Sequence, residues 1–77
     1  MSVLTVFFER SGEDAKEVLA AFREALEGVE ACQTATLLES AQQINLYLLV
    51  TTWAGEDEMP AAPEGTKQWI FRAEDGS

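Results

Sequence analysis

The sequence predicts an α+β domain, a four-stranded antiparallel sheet with a single helix laid over one face. Three observations predict it. The stretch Gln43–Trp53, QINLYLLVTTW, alternates yet is largely apolar both ways: Ile44, Leu46, Leu48 and Val50 on one side, Tyr47, Leu49 and Trp53 on the other. A strand that shows water neither face is covered on both. The stretch Ser2–Glu9, SVLTVFFE, has the same character, with Val3, Thr5 and Phe7 opposed to Leu4, Val6 and Phe8. One amphipathic helix lies between the two stretches, and one helix covers only one face.

Taken in order, the first strand is Ser2–Glu9, rich in β-branched and aromatic residues. Ser11-Gly12 interrupts it, and a helix follows from about Glu13 to Glu27. Ala15, Val18, Leu19, Phe22, Ala25 and Leu26 fall at helical spacing and make its apolar stripe. Glu13 and Asp14 favour the first turn, Ser11 or Gly12 is the expected N-cap, and Gly28 the expected left-handed stop. A second strand, Cys32–Glu39, joins the long apolar stretch through a short turn at Ser40–Gln42, making an antiparallel hairpin. Residues 54–66 then read as a loop holding both prolines, and Lys67–Ala73 as the last strand, before a polar tail at 74–77.

The order strand, helix, strand, strand, loop, strand fits a ferredoxin-like sheet of order 4-1-3-2, with all neighbours antiparallel. It sets the two doubly apolar strands in the centre. The loop at 54–66 stands where a second helix is usual, and 1–77 reads as one domain.

Composition narrows the function. The 77 residues carry fourteen Asp and Glu against five Lys and Arg, a net charge of −9. The basic residues Arg10, Lys16, Arg23, Lys67 and Arg72 are scattered, so phosphate backbones and anionic membranes are repelled. No apolar run is long enough to span a bilayer, and the start MSVLTVFFER reads as a strand rather than a signal peptide, so a cytoplasmic location is expected. Cys32 is the one cysteine and reads as a buried, inert thiol. With no histidine in the chain, Ser-His-Asp catalysis and the usual zinc sites fall away. Glu56, Asp57 and Glu58 match no Ca²⁺ loop, and no metal is expected.

The chain resembles the antibiotic-biosynthesis-monooxygenase-like family of dimeric α/β barrels. The likeness runs over roughly residues 2 to 58. It lies in the first strand, Gly12 before the helix and Gly28 after it, LLES at Leu37–Ser40, and LYLLVTTW ending at Trp53. The resemblance implies two protomers packed sheet against sheet, with a pocket on the side away from each helix. Val3, Thr5 and Phe7 would face that interior, and Trp53 matches the family's central-strand tryptophan. Haem-degrading members carry an Asn on the first strand and a His on the second helix. Thr5 and the stretch MPAAPEG (59–65) stand there instead, so haem degradation is not implied.

The expectation is therefore a homodimer formed through the face away from the helix, binding a small apolar or aromatic ligand between the sheets without a cofactor. Thr5, Phe7, Asn45, Tyr47, Thr51 and Trp53 are the candidate pocket or interface residues. The alternative is a cofactor-independent monooxygenase. Whether the chain is an enzyme stays open at this point, as does a role as the regulatory subunit of a larger partner.

Overall fold

The computed structural model describes residues 3–54 and 59–72. Its elements are β1 (Leu4–Ser11), α1 (Ala15–Leu26), β2 (Cys32–Glu39), β3 (Leu46–Trp53) and β4 (Lys67–Arg72). The sheet order is β2-β3-β1-β4, which is the expected order read from the opposite edge, and every neighbouring pair is antiparallel. This is a ferredoxin-like α+β sheet with one helix over it.

Several boundaries move from their expected places, each for a local reason. The third strand begins at Leu46 rather than Gln43, because residues 40–45 are all used in the turn. Ser40 Oγ accepts the backbone N–H groups of Gln42 (3.2 Å) and Gln43 (3.0 Å), and Asn45 adopts φ 61°. Asn tolerates that left-handed conformation better than most residues. The helix starts at Ala15, and its N-cap is Asp14 rather than Ser11 or Gly12. Asp14 makes no side-chain cap bond, because its carboxylate turns to Arg10 at 3.0 Å. Gly28 is not a left-handed stop. The helix ends with Glu27 still right-handed and closes through tight bonds from Glu27 N–H to Glu24 O and Gly28 N–H to Ala25 O. Among the described glycines the positive φ values belong to Gly12 (125°) and Gly65 (85°) instead.

The apolar stripe of α1 buries Ala15, Leu19, Phe22 and Leu26; Val18 is half-buried and Ala25 exposed. Against it lie Leu4, Val6 and Phe8 of β1, as expected, with Phe8 and Phe22 meeting edge to face at 4.8 Å. The β3 residues beside them correct one reading of the sequence. Leu4 pairs with Trp53, Val6 with Thr51 and Phe8 with Leu49, so Tyr47, Leu49, Thr51 and Trp53 lie on the helix side. They do not share a face with Thr5 and Phe7. Residues paired across a sheet share a face, so the β1–β3 register decides the matter, and alternation within β3 alone does not.

Thr51 is the buried polar residue of this core, and its hydroxyl is used twice. It donates to Val6 O at 3.0 Å and accepts Trp53 Nε1–H at 2.7 Å. The Trp53 N–H would otherwise be buried without a partner.

Met59 and Ala62 pack against the same core, so part of the connection to β4 serves as cover where a second helix is usual. The chain turns at Pro63–Thr66 with Thr66 N–H to Pro63 O at 3.0 Å, and Gly65 takes the third position of that turn, where a positive φ is required. Arg10 Nη1 donates to Glu64 O and to Thr66 Oγ1, tying this turn to the end of β1. The expected acidic run at 56–58, residue 73 of the last strand and the tail at 74–77 lie outside the described residues. Among the described residues, no helix is long and apolar enough to cross a membrane.

Candidate functional site

Alternation sends every second residue of the sheet to the face that α1 leaves uncovered. From β1 these are Thr5, Phe7 and Glu9; from β3, Leu46, Leu48, Val50 and Thr52. Thr34, Thr36 and Leu38 join them from β2, and Lys67, Trp69 and Phe71 from β4. The face is therefore divided. A row of threonines crosses one end, where Thr5 pairs with Thr52 and Thr52 with Thr34, the last two hydroxyls 2.6 Å apart. The middle and the other end are apolar and aromatic. Phe7 and Phe71 rings lie 5.3 Å apart, Trp69 is 47% and Phe71 52% exposed, and Leu38 is 46% exposed.

Beside this apolar region, at the hairpin end of β2 and β3, is a hollow of about 390 Å³. Leu38, Leu46 and Leu48 form its apolar wall, with Glu9, Glu39, Ser40 and Tyr47 completing the lining. Glu9 Oε1 accepts Trp69 Nε1–H at 3.3 Å, linking the hollow to the aromatic side chains. Tyr47 donates its hydroxyl to Glu39 Oε2 at 3.2 Å. Desolvation, then the bond to Glu39 and its negative charge, raise the Tyr47 phenol above its ordinary range. It stays protonated at neutral pH and acts as a donor rather than a base.

A second hollow, of about 370 Å³, lies between the C-terminal end of α1 and β2. Cys32 lines it with Arg23 and Leu26, and burial pushes its thiol above the ordinary value. Such a thiol is a poor nucleophile at neutral pH.

The six residues nominated from the sequence do not come together. Thr5 and Phe7 stand on the uncovered face, while Tyr47 borders the first hollow although by register its side chain belongs to the helix side. Asn45 lies in the β2–β3 turn, where its carbonyl accepts Gly12 N–H at 2.9 Å. Thr51 and Trp53 are fully buried under the helix and bonded to each other. Of the residues that line the hollow only Tyr47 is among the six; Glu9, Leu38, Glu39, Ser40, Leu46 and Leu48 are not. The β1–β3 register, a pairing of strands that are not consecutive in the chain, was the missing signal.

Among the described residues, no group of three His, Cys, Asp or Glu side chains is placed to hold a metal ion. No protein-family profile matches the chain, and no curated protein matches it in sequence. Solved structures do. The cofactor-independent oxygenase SnoaB from Streptomyces nogalater superposes with a TM-score of 0.69 over 95% of this chain and 93% of its own, at 16% identity. A proposed antibiotic biosynthesis monooxygenase from Deinococcus radiodurans gives 0.66 over 95% and 92%, at 15% identity. The chain has the antibiotic-biosynthesis-monooxygenase-like fold. A conserved protein of unknown function from Bacteroides thetaiotaomicron shares that fold too, with a TM-score of 0.67 over 94% of this chain and 95% of its own, at 16% identity. At these identities the likeness carries the fold and not the activity.

Proposed function

We propose that this chain is a homodimeric α/β-barrel module that pairs through its uncovered sheet face and holds a small apolar or aromatic ligand in the hollow beside it. The observation that carries this reading is the uncovered face itself. Phe7, Leu46, Leu48, Val50, Trp69 and Phe71 stand together on it, and no part of the described chain crosses it. Apolar patches of more than a few hundred Å² rarely stay open to water in soluble monomers. Burying such a patch yields ~25 cal/mol per Å² before association entropy is subtracted. A two-fold pairing covers the same patch twice with one contact surface. The hollow lies on the rim of that surface, so a second protomer would close it, and its volume suits a small ligand.

Catalysis of the kind named for SnoaB is the weaker reading. The polar residues that would serve such a pocket are spread over the turn, the helix-side core and the hollow, and the Tyr47 phenol is held protonated. The test combines sedimentation equilibrium with ligand titration on the full chain. A dimer at micromolar concentration that binds small aromatic molecules supports the module. A monomer, or a dimer that binds none of them, contradicts it.

A further inference from the structure

We infer that the ligand of this hollow is a small hydrophobic monocation, an aromatic or branched aliphatic amine. The inference rests on the proposed ligand-binding reading and adds the ligand's charge. The lining carries two carboxylates, Glu9 and Glu39, and among the described residues no cationic side chain. Glu39 already accepts the Tyr47 hydroxyl and belongs by register to the helix side of the sheet. Glu9 is different. It belongs to the uncovered face, is half-buried, and has Trp69 Nε1–H on Oε1 alone, so Oε2 keeps its capacity to accept. Lys67 is the Cα partner of Glu9 on β4, but it is exposed, and Glu9 takes its hydrogen bond from Trp69 instead.

Phe7 lies two residues before Glu9 on the same face, and Trp69 is its Cα partner across the sheet. A carboxylate recognises an ammonium by a charge-assisted hydrogen bond, and Phe7 and Trp69, which do not line the hollow themselves, flank Glu9 on the sheet. Leu38, Leu46 and Leu48 take the apolar body of the ligand. The net charge of −9 acts in the same direction, raising the local concentration of cations and lowering that of anions. A carboxylic acid of the same shape would meet Glu9 as a like charge.

The test uses three probes of one shape: 2-phenylethylamine, 2-phenylethanol and phenylacetate, each titrated into the full chain by calorimetry at neutral pH. The amine should bind about ten-fold more tightly than the alcohol, as one hydrogen bond to a charged group predicts, and phenylacetate most weakly. Glu9→Gln should bring the amine down to the alcohol's affinity and leave the alcohol unchanged. Rising salt should erode the preference of the parent for the amine, which gives a readout independent of the variant's folding. Equal binding of amine and carboxylate, or a preference that survives Glu9→Gln or high salt, overturns the inference while leaving a ligand site in place. Binding of none of the three by a dimeric chain overturns the ligand-binding reading beneath it as well.

Discussion

The two faces of this sheet are built from alternate residues of the same strands, and they are completed in different ways. On one face Leu4, Val6, Phe8, Leu49 and Trp53 meet α1 and are removed from water within the chain. On the other, Phe7, Leu48 and Val50 are only half-buried, and Trp69 and Phe71 stand about half exposed. The difference teaches that the fold of the chain draws on one set of residues and the proposed pairing on the other. Neighbouring positions in β3, one residue apart, should therefore fail in different ways.

Position 49 gives the largest contrast. Leu49→Glu places a carboxylate in a fully buried site without a partner, and the protomer should unfold. Its far-ultraviolet circular dichroism at 25 °C should be that of an unfolded chain. A native spectrum would mean that Leu49 does not lie in the core.

Trp53→Ala comes next. Removing this fully buried ring should cost about 3–5 kcal/mol in urea unfolding. A loss below about 1 kcal/mol, within the range of ordinary surface substitutions, would mean that the ring is not in the core.

Thr51→Val sharpens the same point at constant volume. It strips a partner from Trp53 Nε1–H and from Val6 O, and should cost about 1–3 kcal/mol. Urea melts of the variant measure it, and a neutral outcome would deny the buried hydroxyl its two bonds.

The smallest effect lies at the helix start. The hydrogen bond from Arg10 holds the Asp14 carboxyl below its ordinary range. A depressed folded-state value contributes stability above the unfolded value near pH 4, and that contribution is lost as pH falls through the folded value. The parent should therefore unfold at slightly higher urea than Asp14→Asn at pH 6, and the gap should close below pH 4. A gap that widened in acid would reverse the sign.

Much of the fold was legible because local signals agreed. The stripe Ala15, Leu19, Phe22 and Leu26 announced the helix, and the doubly apolar strands announced the centre of the sheet. The faces of β3 were not legible. Leu46, Leu48 and Val50 are as apolar as Tyr47, Leu49 and Trp53, so composition is indifferent to which set meets the helix. The choice is made by pairing with β1, and since β1 and β3 are not consecutive strands no local pattern marks that pairing. The candidate site inherited the same ambiguity. By alternation alone Thr5 and Phe7 group with residues of the opposite face, and no local pattern marks the hollow at Leu38, Leu46 and Leu48. Arg10, one of five scattered cations in the sequence, ties the Pro63–Thr66 turn to β1 through contacts 54 and 56 residues apart, which no local pattern reveals.

Sedimentation equilibrium on the parent chain and on Leu48→Glu, at micromolar concentration, tests the central claim most directly. Leu48 lies one residue from the core position 49 but on the uncovered face, so its replacement should spare the protomer and place charge between the sheets. The parent should sediment at twice the 8.5 kDa chain mass and the variant, still folded, at 8.5 kDa. A parent that sediments as a stable 8.5 kDa monomer would contradict that claim.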